Sequence, residues 1–409
     1  MGIEHSLGII CSGRVVPAKE ALKLGIVQGI LKDKRIDNWV VDYTKQTQKP
    51  LQKRELSKIS LSKDKVTKAC DAFRKKLPPK EKGGDAVHTA VDALSSCHLP
   101  LDEGLDYEKG LFFDILVNSL QGKAKRHLFF AQRRAAKPIS PNVIAKTHKA
   151  RKKMTVGVIG GGTMGQGIAL AFLQKRFTQV ILVDINEKAV IQAKKRMEKS
   201  LSSKKGLSSL IQNLTTSTSL ASLSKCDLII EAVFEKLDIK KQIVSELNSI
   251  ASDSCFVVSN TSTLSVSEIF KSYKDPSQTC GMHFFSPAHV MPLVEIVQSI
   301  DSSITTIRYI QEIVKLLSKV GVVVKDGDGF VGNRMIANYS SESCFLLEEG
   351  CTVPQVDAAL TSFGMKIGPF TMSDLAGNDI GYAFIALFFF TFNNIWLFCK
   401  DFLFDRQKI

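Results

Sequence analysis

The nine cysteines include no Cys-x-x-Cys pair. The sequence therefore lacks the ligand spacing of a zinc ribbon, and an odd number of scattered thiols gives no disulfide frame. They read as reduced thiols of a protein that is not secreted, and no metal site is expected. The amino terminus has no basic region followed by a long apolar core, which argues against a secretory signal. Residues 380–398 are apolar over 19 positions but contain Asn393 and Asn394. A span needs about 20 predominantly apolar residues, so no stable membrane span is expected. Acidic residues are in short supply, 40 against 55 Lys and Arg, which leaves a net charge of +15. What is present is ordinary for a globular protein: 44% hydrophobic and 23% charged residues over 409 positions exclude a disordered or collagen-like chain and fit two or three domains.

Pattern divides the chain further. In residues 1–30, Pro17 opens a short amphipathic helix that Gly25 stops. Residues 31–153 alternate helical stretches with polar linkers, and residues 123–153 hold 11 Lys or Arg and no Asp or Glu. Such a run suits nucleic acid, an anionic membrane or coenzyme A phosphates. The apolar stripe Leu128-Phe129-Phe130-Ala131 and the linker Lys137-Pro138-Ile139-Ser140-Pro141 favour a solvated helix face instead, and no nucleic-acid partner is expected. Residues 154–327 alternate apolar runs (155–159, 180–183, 227–233, 256–259) with helical periodicity. This predicts an α/β domain with a Rossmann-like, doubly wound parallel sheet. Residues 328–382 read as helical, with a long segment over 330–349 and a shorter one from Pro354, the start of an all-α domain. Residues 383–409 form a Phe-rich tail with no period, since 8 of the 24 phenylalanines fall between Phe384 and Phe404.

The chemistry-bearing motifs lie in the third part. Gly160-Gly161-Gly162-Thr163-Met164-Gly165 follows the first strand and opens a helix. Gly160 permits the tight turn, Gly162 lets a pyrophosphate approach the backbone, and Gly165 allows close helix packing beside a positive dipole end. Asp184 ends the second strand 19 residues after Gly165. A carboxylate there accepts from ribose hydroxyls and repels a 2′-phosphate, favouring NAD over NADP; the alternative is a capping acid before Asn186. His283 ends one apolar run and Glu295 interrupts another, where a carboxylate needs a partner. If the Ser286-Pro287 turn folds the runs together, the pair serves equally as a buried hydrogen bond or as a general base with its orienting acid. Ser259-Asn260-Thr261-Ser262-Thr263 follows a strand at the sheet's carboxyl edge, where ligands bind; Ser265 and Glu268 beyond it read as a capping box. Asn333 by itself reads as a surface polar residue.

Four strings together resemble the (S)-3-hydroxyacyl-CoA dehydrogenases, and among them the multifunctional peroxisomal type: Gly157-Val158-Ile159-Gly160-Gly161-Gly162-Thr163-Met164-Gly165, Ser259-Asn260-Thr261-Ser262, Met282-His283-Phe284-Phe285-Ser286-Pro287-Ala288-His289 and Gly329-Phe330-Val331-Gly332-Asn333-Arg334. The resemblance implies that His283 is the catalytic base and Glu295 its partner, and that Ser262 and Asn333 hydrogen-bond the substrate oxygen. It implies that Gly160, Gly162, Gly165 and Asp184 bind NAD, with Glu235 and Lys240 at further cofactor-contacting positions. The implied reaction is oxidation of a 3-hydroxyacyl-CoA to a 3-oxoacyl-CoA in fatty acid β-oxidation. The rival is a silent truncated form that binds NAD or a partner without turnover.

Residues Cys11 to Val27 are similar to the late part of a crotonase-fold hydratase. The stretch that carries that family's oxyanion hole and two glutamates is absent, so residues 1–30 are expected to be a remnant without hydratase or isomerase activity. Residues 31–153 then correspond to the connecting region. Family likeness fades after Ala383, where the sequence resembles translated non-coding sequence, and the rest of the helical domain is expected to be missing. A peroxisomal location follows from the resemblance, although the chain ends Gln407-Lys408-Ile409 and not in a Ser-Lys-Leu-type signal; without such a signal the expectation is cytoplasmic.

Overall fold

The computed structural model describes residues 1–27, 29–30, 36–37, 40–41, 45, 61–78, 85–139, 153–177, 179–203 and 206–376. The chain divides into two compact units, Met1–Ala131 and Gln132–Ile409.

The first unit is helical among its described residues: α1 (Ile3–Ile10), α2 (Ala18–Lys23), α3 (Lys63–Arg74), α4 (Asp85–Ser95), α5 (Leu101–Phe113) and the start of α6 (Leu120–Ala135). α2 begins after Pro17, and Gly25 beyond it takes φ +69°, as the sequence predicts. Ile3 and Leu7 of α1 pack against Val66 and Cys70 of α3 and Val91 of α4. One core thus spans the boundary drawn at residue 30, because α1 has an apolar stripe that only the later helices cover. Arg74 ties α3 to α4, reaching Asp92 at 2.6 Å and Asp71 at 2.8 Å. The division between units falls inside α6, earlier than the boundary at 153.

The second unit is built on eight strands: β1 (Thr155–Ile159), β2 (Gln179–Val183), β3 (Leu214–Ser217), β4 (Leu228–Glu231), β5 (Phe256–Ser259), β6 (Thr279–Phe284), β7 (Leu293–Gln298) and β8 (Val320–Lys325). Their order is β3-β2-β1-β4-β5-β6-β7-β8. Neighbours from β3 to β6 are parallel, so this part is doubly wound, with its switch point between β1 and β4. The expectation of a parallel sheet fails at β7, which runs antiparallel to β6 and parallel to β8. The physical reason is length: residues 285–292 are too few to carry a crossover helix, so the chain can only turn back.

Alternate strand residues serve opposite faces. Val156, Val158, Val180, Leu182, Leu228, Ile230 and Val258 pack with α7 (Thr163–Gln174), α8 (Glu187–Ser202) and α11 (Ile304–Leu316). Ile159, Ile181, Val183, Ile229 and Val257 pack with α9 (Leu237–Ile250) and α10 (Val266–Phe270). Both faces are covered, which is why these strands read as continuous apolar runs. β3 escapes such a reading, because Leu214 is the only buried residue in Leu-Thr-Thr-Ser. The run 227–233 is a shorter strand than expected, since Val233 leaves the ladder to donate its N–H to Glu231 Oε1 at 2.8 Å.

The capping box at α10 forms by half. Ser265 Oγ accepts from Glu268 N at 3.3 Å, but the Glu268 carboxylate pairs with Lys241 at 3.0 Å. Asp326 instead satisfies the helix's first N–H groups, accepting from Val266 N and Ser267 N and from the Ser265 and Ser267 hydroxyls. Beyond β8 come α12 (Gly332–Glu348), α13 (Val353–Phe363) and α14 (Pro369–Ala376), the expected start of a helical domain. The Phe-rich tail lies outside the described residues. Among those described, no helix is long and apolar enough to cross a membrane and no cluster of His, Cys, Asp and Glu could hold a metal.

Candidate active site

The glycine turn joins β1 to α7 at the switch point. Gly160 stands at φ +109° and donates to Val183 O at 2.7 Å; a Cβ there would lie 2.4 Å from Ala232 O. A Cβ on Gly165 would lie 1.8 Å from Gly160 O, so the helix can sit on the turn only with glycine there. Gly162 differs: a Cβ would meet nothing within 4 Å, and as N-cap of α7 it offers no side chain to the helix's free N–H groups. Open space before an uncapped helix N-terminus is what a pyrophosphate needs. Asp184 Oδ2 accepts from Gly161 N at 2.7 Å and Oδ1 from Asn186 N at 2.9 Å, so the carboxylate braces the turn and the approach to α8. Asp184 does not cap α8, whose N-cap is Asn186 with its side chain accepting from Lys188 N and Ala189 N, and each Asp184 oxygen keeps a lone pair for a ribose hydroxyl. The residues present fit NAD: the glycine turn, the bare helix end and the Asp184 carboxylate converge on the carboxyl edge of the sheet.

Across that edge, the β6–β7 register sets His283 opposite Glu295. Nδ1 of the imidazole lies 2.8 Å from Glu295 Oε2, with both residues buried. An ionised carboxylate only accepts, so Nδ1 carries a proton, and in the neutral imidazole that leaves the lone pair on Nε2. The other oxygen, Oε1, accepts from Val331 N at 3.1 Å and Gly332 N at 2.8 Å. Burial alone would raise the Glu295 pKa, but the hydrogen bonds from His283, Gly332 and Val331 outweigh it and hold the carboxyl below its usual range. The turn that delivers those N–H groups places buried Phe330 at φ +50°, an uncommon conformation for a bulky residue. The rings of Phe285 and Phe330 stand 4.6 Å and 5.7 Å from the imidazole.

Ser262 and Asn333 join this group, since Asn333 Nδ2 donates to Ser262 O at 2.9 Å from the residue after Gly332. Beneath the serine loop lies a charge network in which Glu231 and Lys240 are buried and Glu235 is half-buried. Glu235 Oε1 accepts from Thr261 Oγ1 and Ser262 N at 2.7 Å, Ser262 Oγ and Thr263 N at 3.0 Å, and Thr263 Oγ1 at 3.3 Å. Its Oε2 lies 3.4 Å from Lys240 Nζ, which also touches Glu231 Oε1 at 2.8 Å and Oε2 at 3.0 Å. Burial would raise the Glu235 pKa, but Lys240, the Thr261 hydroxyl and the N–H groups of Ser262 and Thr263 together lower it. Lys240 is 1% exposed and fully engaged with protein groups, so here it braces the loop. Two participants were missed from sequence. Glu231, 0% exposed, also accepts from Ser259 Oγ at 2.6 Å, and Asn260 Oδ1 takes the Phe284 N–H at 2.9 Å. Glu231 closes the apolar run Leu228-Ile229-Ile230, and the argument that a carboxylate in an apolar strand needs a partner would have found it.

A dinucleotide-binding sheet with a buried His–Glu pair at its carboxyl edge defines an oxidoreductase class. The comparisons narrow it. The sequence model of the 3-hydroxyacyl-CoA dehydrogenase NAD binding domain matches residues 155–327, and that of the C-terminal domain of the same enzymes matches 329–394, past the boundary drawn at 382. The peroxisomal bifunctional enzyme of Cavia porcellus is 37% identical over 396 residues, covering 93% of this chain and 54% of its own length. The chain thus spans about half the length of the curated relatives it matches. Among solved structures, M. tuberculosis FadB2 is 30% identical with a TM-score of 0.57, covering 60% of this chain and 90% of that one. The (S)-3-hydroxybutyryl-CoA dehydrogenase PaaH1 of Ralstonia eutropha is 30% identical with a TM-score of 0.55, covering 59% and 89%. The chain belongs to the 3-hydroxyacyl-CoA dehydrogenase family.

Proposed function

We propose that the chain oxidises (S)-3-hydroxyacyl-CoA to 3-oxoacyl-CoA with NAD, as one step of fatty acid β-oxidation. The observation that carries this is the 2.8 Å contact between His283 Nδ1 and Glu295 Oε2, which fixes the tautomer that leaves Nε2 basic. NAD, when bound at Gly160, Gly162, Gly165 and Asp184, supplies the hydride acceptor. His283 Nε2 takes the 3-hydroxyl proton, and Glu295 stabilises the imidazolium that results. Asn333 and Ser262 orient the oxygen, so that much of the rate gain comes from positioning and preorganised dipoles. A peroxisomal location and an acyl-CoA partner are part of this proposal, supported by the names of the relatives.

The test is NADH formation from short-chain and long-chain 3-hydroxyacyl-CoA by the native chain and by His283→Gln, alongside NADH binding followed by fluorescence. The variant is expected to lose turnover by at least a hundredfold, the lower end of what a positioned general base contributes, with NADH affinity nearly intact. Near-normal turnover in the variant would remove His283 from the mechanism. NADH binding by a native chain without turnover would leave a dinucleotide-binding protein that is not this enzyme.

A further inference from the structure

Ser262 has one hydroxyl proton, and in this structure Glu235 receives it. An ionised carboxylate cannot donate, so the 3.0 Å contact is Ser262 Oγ–H to Oε1. The same proton cannot also reach a substrate oxygen. Yet Oε1 is oversupplied: five donors converge on an oxygen with about two lone-pair sites. Two of them, the N–H groups of Ser262 and Thr263, are backbone and cannot turn away. The hydroxyls of Ser262 and Thr263 contact Oε1 at 3.0 Å and 3.3 Å, long for O–H donors, and rotate about their Cβ–Oγ bonds.

We propose that Glu235 is a positioning residue for Ser262: its carboxylate anchors the 261–263 loop through backbone N–H groups, so that the serine can turn its proton from Oε1 to the 3-oxygen of an acyl-CoA without leaving that oxygen unpaired. This rests on the acyl-CoA reading above and deepens it. Lys240 keeps Glu235 charged from the far side and is itself held by both oxygens of Glu231, so the anchor does not depend on the serine hydroxyl. Asn333 needs no such exchange, because its Nδ2 spends one hydrogen on Ser262 O and keeps the second.

The test is a pair of double-mutant cycles in the full chain, with kcat and KM for 3-hydroxyacyl-CoA and NAD and with NADH binding by fluorescence. Glu235→Gln is expected to lower kcat roughly tenfold or more where Ser262 is present and less than about twofold in Ser262→Ala, with KM for NAD steady. Because Glu235→Gln disturbs this charge network and can fail to fold, an isosteric second variant is included. Thr263→Val removes one competing hydroxyl from Oε1 and makes release of Ser262 harder. A severalfold fall in kcat is expected, vanishing in the Ser262→Ala background. Equal factors in both backgrounds, or a loss expressed as weaker NADH binding, would overturn the proposal and make Glu235 a structural or cofactor-contacting group. A native chain that turns over while the cycles are additive refutes this inference alone; a native chain that forms no NADH from any 3-hydroxyacyl-CoA refutes the acyl-CoA reading and this inference with it.

Discussion

Glu295 divides its carboxylate between two tasks, one oxygen for His283 and the other for the N–H groups of Val331 and Gly332. Those bonds hold its folded pKa below the usual value, so the stabilisation is complete above the unfolded pKa of about 4.3 and drains away as pH falls through the lower folded value. Glu295→Gln is therefore expected to lower the melting temperature most near neutral pH, with the gap narrowing as pH falls below the unfolded value of about 4.3 and closing once the native carboxyl is protonated at its lower folded value. Thermal unfolding across that range checks this; a gap that is constant with pH would mean the charge is irrelevant. Asp184 makes a second residue-scale case, since a carboxylate already braced by Gly161 and Asn186 cannot swing away from a 2′-phosphate. Calorimetric titration is expected to show NAD(H) bound well ahead of NADP(H), and equal affinities would refute its role.

The glycine turn separates folding from binding within one element. Gly165→Ala puts a methyl 1.8 Å from Gly160 O, and overpacking of this kind costs about 1–3 kcal/mol or more, so the melting temperature is expected to fall by several degrees. Gly162→Ala adds a methyl where nothing lies within 4 Å, at φ −70° and ψ −174°, a backbone conformation that alanine accepts. The free protein is expected to melt as before while NADH affinity drops roughly tenfold or more, because the methyl occupies the space a pyrophosphate requires. Unchanged NADH binding in Gly162→Ala would move the cofactor away from this turn. α10 shows the same logic of borrowed partners: Asp326, from just beyond β8, satisfies its N-terminus where a local glutamate was expected to help.

The two units have separate cores. Ile3, Leu7, Val66, Cys70 and Val91 form one, and none of them belongs to either core that flanks the sheet. Leu7 is 1% exposed, and Leu→Ala at such a site costs about 2–5 kcal/mol. Leu7→Ala is expected to destabilise the helical unit while NADH affinity stays within about twofold, since the cofactor residues rest on the other cores. Calorimetric unfolding with NADH titration decides this. A large loss of NADH binding would show that the units depend on each other for folding.

Much of the site was legible in local sequence. The glycine turn, Asp184 and the alternation of apolar runs with helical periods depend on neighbours in the chain, and backbone sterics and the switch from period 2 to 3.6 write them into adjacent residues. Local signals also placed α2, α12 and the start of α13 close to where they lie. Contacts between distant residues had no such record. The pairing of His283 with Glu295 needed the β6–β7 turn to run antiparallel, and the residues alone left it open whether that pair was structural or chemical. Glu235 gathers the hydroxyls and N–H groups of residues 261–263, a loop some 26 positions away, because both segments end at the same edge of the sheet, and Asn333 looks like a surface residue until α12 brings its amide to Ser262 O. Periodicity and turn chemistry are properties of the chain, whereas the burial of a charge, and therefore which partner it must have, exists only once the sheet has closed around it.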